Sequence, residues 1–178
     1  MKNWAIKLGT ILSKLGTILS IVFILISNAA FAQSVNLLGD HKDWSAYTTS
    51  QGDNKLCFTI SKPKNVSPKP NDYKQSYLYI THKPNENIKN EINFVAGFEF
   101  APNSNASINV GGQLYPLFVK GDAAWLDDVS KANNLVGQMR AGSILTISGL
   151  TVTGVKITQT FSLSGVTAAS RAIDRACP

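Results

Sequence analysis

The chain has 178 residues, 44% of them hydrophobic, and carries a formal net charge of +6. A chain of this length accommodates one ordinary domain that buries its own core without a structural metal. The basic residues are scattered along the sequence rather than clustered, and this distribution argues against a nucleic-acid-binding protein.

The first 32 residues show the pattern of a secretory signal peptide. Three lysines and no acidic residue accompany an apolar run over residues 15–26, and the small-residue triplet Ala30-Phe31-Ala32 follows. The run is shorter than the roughly 20 residues that span a bilayer, although an uncleaved signal anchor remains the alternative. Because Gln33 begins a polar segment directly after Ala32, we predict cleavage between these two residues and no stable membrane span afterwards.

The mature domain, residues 33–178, is expected to be mildly basic and to contain two cysteines. Removing three lysines from the 17 basic residues leaves 14, against 11 acidic residues, for a net charge of +3. An even cysteine count in an exported chain predicts a disulfide between Cys57 and Cys177, with two separate buried thiols as the alternative. The chain-entropy model gives roughly 4–5 kcal/mol for a loop as long as this bond would close.

The mature chain is predicted to be an all-β, β-sandwich-like domain of about eight antiparallel strands with two short helices. Short apolar or alternating segments, separated by turn residues, predict the strands. They cover residues 44–48, 56–61, 76–82, 91–100, 107–110, 114–120, 144–148 and 155–163. Gly111-Gly112 predicts a hairpin between two of them, and a second bend is expected near Thr153-Gly154.

Two of the predicted strands alternate between apolar and polar residues, which is typical of a half-buried strand. In the strand 91–100 the inward positions are Ile92, Phe94, Ala96, Phe98 and Phe100. In the strand 155–163 they are Val155, Ile157, Phe161 and Leu163. Each of these strands is therefore expected to place one face against the core and the other face in water.

Two segments have helical rather than strand periodicity. Over residues 124–140 the apolar positions step by three or four, which predicts a helix, with a start as late as Asp127 left open. These positions are Trp125, Val129, Ala132, Val136 and Met139. A terminal helix is predicted over residues 166–176, so that a disulfide from Cys177 would pin it to the second predicted strand and restrain the terminus.

No catalytic, metal-binding or cofactor-binding motif is recognisable in the sequence. The segment Asp40-His41-Lys42-Asp43 is interpreted as a solvated turn rather than a metal site, and His82 has no partner at a metal-ligand spacing. Neither a Gly-x-Ser-x-Gly nor a P-loop sequence is present. The protein is therefore expected to be a non-enzyme without a cofactor, although a Ser-His-Asp triad assembled from distant residues stays open.

Aromatic and basic residues supply the candidate binding residues. A sugar- or peptide-binding face is one interpretation of the aromatic residues, and packing within the core or on the sheet is the other. These residues are Trp44, Tyr47, Tyr73, Tyr77, Tyr79 and Tyr115. A binding loop is predicted in the Pro-rich segment 63–73, which would offer a basic, aromatic edge, with a solvated loop as the alternative. Its candidate binding residues are Lys64, Lys69, Tyr73 and Lys74.

Several short blocks follow one another along residues 40–178. They are DWSAY at 43–47, ISKPK at 60–64, YLYITHKP at 77–84, KNE at 89–91, LFVKGDAAWL at 117–126, FSLSG at 161–165 and AID at 172–174, with Cys57 and the final Cys177-Pro178. Each block alone is weakly specific, but their order together with both cysteines is more so. On these blocks the chain resembles the invasion-associated locus B (IalB) family of Gram-negative bacterial envelope proteins.

The resemblance implies an exported, disulfide-containing interaction protein that contributes to host-cell invasion or to envelope function, and it brings no catalytic residues. The expected location is the periplasm or the cell surface, including secretion, and the expected partner is an envelope or host-surface protein or a glycan. Two alternatives remain from other functional classes. One is a periplasmic hydrolase acting on glycan or peptide, and the other is a small periplasmic carrier with an apolar pocket.

Overall fold

The computed structural model describes residues 34–52 and 54–178, in which it contains eleven β-strands and two α-helices. The predicted signal peptide and its cleavage site between Ala32 and Gln33 lie outside the described residues. The strands are β1 (Ser34–His41), β2 (Trp44–Gln51), β3 (Asn54–Ser61), β4 (Asn65–Ser67), β5 (Tyr77–Lys83), β6 (Ile88–Val95), β7 (Asn105–Val110), β8 (Gln113–Lys120), β9 (Ala123–Leu126), β10 (Ile144–Leu150) and β11 (Lys156–Ser162). The helices are α1 (Ala132–Ala141) and α2 (Val166–Ala176).

All eleven strands belong to one antiparallel sheet with the order β1-β2-β3-β5-β6-β9-β8-β7-β10-β11-β4. Strands make up 52% of the described residues, so the predicted all-β class is confirmed. The chain passes directly from β3, near one end of this order, to β4 at the other end. There the Lys64 amide donates to the Thr160 carbonyl oxygen over 2.7 Å. Such a short connection between opposite ends requires the sheet to curl back on itself.

The inward side chains of the curled sheet meet in one hydrophobic core. Phe94 of β6 packs edge-to-face on Phe161 of β11, with ring centroids 6.1 Å apart, a preferred aromatic geometry. The indole of Trp44 is buried and donates its N–H to the Ser162 carbonyl oxygen at 2.9 Å. Contacts across the core therefore tie β2 and β6 to β11, and the β-sandwich-like prediction is confirmed.

The strand predicted at 91–100 is shorter than expected, although its inward face is correct. Strand β6 ends at Val95, because the chain turns at Gly97, whose φ is +76°. A Cβ at Gly97 would overlap the Lys74 carbonyl oxygen, and the Lys74 amide donates to the Gly97 carbonyl oxygen at 2.8 Å. All five predicted inward residues, Ile92, Phe94, Ala96, Phe98 and Phe100, are buried.

One residue predicted to face inward in the strand at 155–163 was placed wrongly. Val155 is 43% exposed, because it lies in the turn between β10 and β11 and precedes the first paired residue, Lys156. The inward position that the pattern skipped is Gln159, which is buried. Its side-chain amide donates to the Ala96 carbonyl oxygen at 2.6 Å, so the buried polar group has a partner.

The helix predicted over 124–140 is wrong in its first half. Trp125 lies on strand β9, where it pairs with Phe118 of β8, and Val129 is 78% exposed in a short 3-10 turn. The Asp128 carboxylate accepts the Ser130 amide and thereby caps this turn. The α-helix begins only at Ala132, and its buried side is formed by Ala132, Leu135, Val136 and Met139.

The terminal helix has the predicted bounds, and the two cysteines form the disulfide Cys57–Cys177. Helix α2 packs against β1, β2 and β3, and both sulfurs are buried beneath it. Before the helix, Gly165 has a φ of +99°, and a Cβ there would overlap the His41 carbonyl oxygen. Within the part of the chain that the structure describes, no helix has the length and apolarity needed to cross a bilayer.

Candidate binding face

The outward surface of β2, β3 and β5 carries a row of aromatic side chains. Tyr47 of β2 lies directly opposite Phe58 of β3, and their rings stack with centroids 5.3 Å apart and an angle of 19°. Tyr79 of β5 follows at 6.1 Å from Phe58, and Tyr77 lies 6.2 Å from Tyr79. All four rings are half-buried, so each keeps part of its surface accessible to a partner.

Three rings of this row, those of Tyr47, Tyr77 and Tyr79, line an open groove of about 720 Å³, which we call the tyrosine groove. Besides Tyr47, Tyr77 and Tyr79, its lining consists of Lys42, Asp43, Ser45, Ile60, Ser61, Lys62, Pro63 and Lys64. Burial raises the pKa of the Tyr79 hydroxyl, and the neighbouring Tyr77 raises it further. The Tyr79 hydroxyl therefore stays protonated and can donate a hydrogen bond at neutral pH.

Lysines form the rim of the tyrosine groove on the side where β3 ends. The ammonium of Lys62 lies over the Tyr77 ring, 5.8 Å from its centroid, within cation–π range. Lys64 contacts the Asp43 carboxylate at 2.5 Å while its side chain stays 58% exposed. Hydrogen bonds from Lys64 and Ser162 lower the pKa of Asp43. The rim therefore combines a fixed carboxylate with accessible cations.

The four candidate residues of the predicted binding loop do not all lie at one site. Lys64 lines the tyrosine groove, whereas Lys69 places its ammonium 5.3 Å from the Tyr73 ring centroid. The Tyr73 hydroxyl is directed to Gln159 of β11 at 3.4 Å. Lys74 docks through its backbone on Gly97. Of these four residues, the structure therefore places only Lys64 at the tyrosine groove.

The aromatic residues singled out in the sequence divide between the core and the surface. Trp44 and Tyr115 are buried, and the Tyr115 hydroxyl donates to the Asn134 side chain. Tyr47, Tyr77 and Tyr79 lie on the outward face and line the tyrosine groove. The sequence interpretation missed Phe58, Ile60 and Lys62. The alternation of Leu56, Phe58 and Ile60 with Cys57, Thr59 and Ser61 was the available signal, because it places all three apolar residues opposite the disulfide face.

A second groove of about 540 Å³ lies further along the same outward side of the sheet. It is mostly apolar, and Phe118 of β8 and Trp125 of β9 stack in it with ring centroids 5.4 Å apart. Ile88 and Val129 add apolar surface at its edge. Phe118 is 46% exposed although the Trp125 ring stacks on it, and this exposure is high for a phenylalanine. We call this second site the tryptophan groove.

His82 is buried in a polar network under the C-terminus. Its Nε2 lies 3.1 Å from the Asn90 side-chain oxygen, and its Nδ1 lies 3.4 Å from the Cys177 carbonyl oxygen. The Asp174 carboxylate is 3.9 Å from the same Nε2. Both ring nitrogens thus contact polar groups of the protein, as expected for a structural histidine that fastens β5 to the end of α2. Among the described residues no group of three or more metal-ligating side chains occurs.

His41, the other histidine, is half-buried at the end of β1. Its Nε2 has no hydrogen-bond partner among the described residues and lies close to Gly39. The neighbouring Asp40 accepts a hydrogen bond from Ser45, and Asp43 is paired with Lys64, so the two carboxylates of this segment serve other partners.

Comparison with known proteins gives one assignment. The family model of the invasion associated locus B (IalB) protein matches residues 44–174. Searches of the curated proteins and of the solved structures found no significant match. The matched segment spans most of the described strands, from the start of β2 into α2, and includes the lining residues of both grooves except Lys42 and Asp43. Because the match covers well over half of the chain, this protein belongs to the invasion associated locus B (IalB) family.

Proposed function

We propose that this IalB family member is an exported envelope protein that acts by binding and not by catalysis, with the tyrosine groove as its binding site. The observation that carries the proposal is the row of four neighbouring, half-buried aromatic rings on the outward side of the sheet. Aromatic side chains offer large contact areas and low conformational entropy cost, and they are enriched where proteins bind partners. The lysine rim adds charge that orients a partner.

Export is supported by the disulfide and by the N-terminal sequence pattern. The disulfide Cys57–Cys177 persists in an oxidising compartment and would be reduced in the cytosol of most bacteria. The N-terminal pattern of lysines, apolar run and small-residue site is that of a signal peptide. Family membership agrees with an envelope or secreted protein. A contribution to host-cell invasion is the further part of this proposal, and it rests on the family alone.

The environment of His82 supports binding over hydrolysis. A hydrolytic histidine needs a free ring nitrogen within hydrogen-bond reach of a nucleophile or a water. The two ring nitrogens of His82 instead face the Cys177 carbonyl and the Asn90 amide, and the ring is 1% exposed. The cysteines are engaged in the disulfide and supply no thiol nucleophile.

The proposal is tested by crosslinking in intact cells. The full chain, with its own residues 1–32, is expressed in a Gram-negative host and treated with a short lysine-reactive crosslinker. We expect a reproducible adduct with an envelope or host-surface component, and we expect Tyr79→Ala to reduce its yield severalfold. The matched control is Val152→Ala, because Val152 is 57% exposed in the turn after β10 and lies in neither groove.

Two results would contradict the proposal. One is an adduct yield that Tyr79→Ala and Val152→Ala leave equal to that of the wild-type protein. The other is a product that remains intact from Met1 and whose two cysteines are both alkylated under non-reducing denaturation. That result would contradict both the export of the protein and the formation of the disulfide.

A further inference from the structure

The strand register aligns the two grooves on one continuous outward surface. One row across the strands contains Ile60 of β3, Tyr79 of β5, Asn93 of β6, Trp125 of β9 and Phe118 of β8, each directly opposite its neighbour. Only β6 separates Tyr79 from Trp125. Neighbouring strands lie about 4.8 Å apart, so these two rings are separated by roughly 10 Å across the sheet. The row from β3 to β8 extends over about 19 Å by the same spacing.

A second row runs parallel to the first and ends in a lysine on each side. Tyr77 of β5 is opposite Val95, which is opposite Ala123 of β9 and then Lys120 of β8. On the other side of Tyr77, Lys62 projects over its ring. Lys62 and Lys120 are both exposed, and no carboxylate of the described residues lies within ion-pair distance of either. One long side of the aromatic row therefore carries an unpaired lysine at each of its two ends.

The geometry disfavours an extended peptide as the ligand. Peptides that bind to sheets usually pair with a free edge through main-chain hydrogen bonds. Here the row residues of β3, β5, β6, β9 and β8 are each paired with a strand on both sides, so the main-chain groups beneath the row are already used. The accessible features are ring surfaces and lysine ammonium groups on the flat side of the sheet. A ligand that uses them must offer apolar faces at intervals together with negative charges along one edge.

We propose that this surface binds a linear acidic polysaccharide that lies across the strands from β3 to β8. The C–H faces of alternate sugar rings pack on Tyr79 and Trp125, whose separation of roughly 10 Å spans two rings of a linear chain, because the negative face of an aromatic ring attracts C–H groups. Sugar carboxylates on one edge of the polymer contact Lys62 and Lys120, and charge complementarity sets the orientation. This inference rests on the proposed binding role, and it names the ligand class for that role and extends the site to the tryptophan groove.

Direct binding measurements test this inference with defined probes. The exported protein is titrated with an alginate hexasaccharide, with neutral cellohexaose and with polyglutamate of similar charge. We expect alginate to bind at least tenfold more tightly than either of the other two probes, and its affinity to fall as salt is raised. Tyr79→Ala is expected to weaken alginate binding by about tenfold or more, a change equivalent to ~1.4 kcal/mol.

Charge variants test whether binding depends on Lys62 and Lys120 in particular or on the overall positive charge of the protein. The double variant Lys62→Gln with Lys120→Gln is expected to weaken alginate binding by about tenfold while leaving the weak cellohexaose binding unchanged. The matched control is Lys156→Gln, because Lys156 is an exposed lysine on β11, outside both rows. Far-UV circular dichroism and thermal unfolding establish that each variant is folded.

The outcomes distinguish this inference from the proposed function. Equal binding of polyglutamate and alginate, or equal losses in the double variant and in Lys156→Gln, would overturn the polysaccharide assignment. Absence of alginate binding together with a protein adduct that is sensitive to Tyr79→Ala would overturn it and leave the proposed binding role standing. If neither alginate nor any cellular component binds in a manner sensitive to Tyr79→Ala, both proposals fail.

Discussion

The two halves of the sheet have the same buried side and very different outward sides. On β7, β10, β11 and β4 the outward rows consist mostly of small polar residues, and exposed Ile144 of β10 is an exception. The register aligns Ser107 with Ser148, Thr158 and Ser67, and the hydroxyls of Ser148 and Thr158 are 3.0 Å apart. From β2 to β8 the corresponding rows are largely aromatic and aliphatic. The polar half shows that this sheet folds with small polar side chains on its solvent-facing side. The aromatic half therefore exposes more apolar surface than folding requires, and we propose that this surface serves binding.

The largest expected effect tests whether the two halves share one core. Phe161→Ala removes a buried ring that packs on Phe94 across the core, and it should lower the free energy of unfolding by about 3–5 kcal/mol. Urea denaturation followed by circular dichroism measures the loss, and hydrogen exchange reports which strands lose protection. We expect strands of both halves to lose protection together. Retained protection in β7 and β10 alone would show that the halves are energetically independent.

Removal of the disulfide should affect the aromatic half more than the polar half. The double variant Cys57→Ala with Cys177→Ala is expected to lose about 2–5 kcal/mol of the free energy of unfolding. Because α2 packs on β1, β2 and β3, amide exchange should accelerate first in α2 and β3. Mass-resolved hydrogen exchange measures this, with the wild-type protein in reductant as the control. Uniform acceleration in β3 and β10 would contradict the local role of the bond.

Exchanging outward residues between the aromatic half and the polar half tests their difference directly, with a small effect on the free energy of unfolding. Tyr79→Thr makes the aromatic half resemble the polar half, and Thr158→Tyr makes the opposite change on β11. Each substitution should alter the free energy of unfolding by about 0.2–1 kcal/mol, the range of cross-strand pairs on a sheet surface. Tyr79→Thr should abolish the crosslinked adduct, and Thr158→Tyr should leave its yield unchanged. A gain of binding in Thr158→Tyr would indicate that any exposed aromatic ring suffices.

The smallest effect is a pH dependence at the groove rim. Lys64 and Ser162 lower the pKa of Asp43 below its usual 3.8, so folding favours the ionised form. The resulting stabilisation is present above the unfolded pKa and is lost as the pH falls through the lower folded value. Because Asp43 and Lys64 are partly exposed, we expect about 0.5 kcal/mol or less. The difference in unfolding free energy between wild type and Asp43→Asn should therefore shrink between about pH 5 and about pH 2, and a constant difference would contradict this assignment.

Local sequence patterns anticipated most of the strands because side-chain alternation is a property of the strand itself. Residues 91–100 and 155–163 show the alternation directly, and the Gly111-Gly112 hairpin has φ values of +61° and +83° that glycine adopts without strain. Three strands were missed. Strand β4 has only three residues, and the apolar residues of β9 share a helical spacing with those of α1. No strand was predicted at β1, and only its last two residues belong to the segment 40–43 that was interpreted as a turn. Periodicity cannot separate a short strand from the approach to a helix.

For the candidate site, residues close together in the sequence were predicted, whereas their neighbours from other strands were not. Tyr77 and Tyr79 were recognised as candidates because both belong to one strand. Their neighbour Phe58 lies on β3, and Lys62 directly follows that strand. No spacing along the chain indicates that β3 lies beside β5 rather than β4. Lys69 and Tyr73 were predicted to share a site with Lys64, but Tyr73 is directed to Gln159 of β11 instead.

The order of residues along the chain was enough to indicate the β class, the terminal helix, the pair of cysteines and the family blocks. The strands and the helix follow from the periodicity of side chains within a few residues. The cysteine pair and the family blocks follow from residue identity and order, which need no knowledge of the three-dimensional structure. The curl of the sheet, the crossing from β3 to β4, and the alignment of Tyr79 with Trp125 emerged from folding alone. They depend on which strands pair and in which register, and that choice is made by the packing of one shared core.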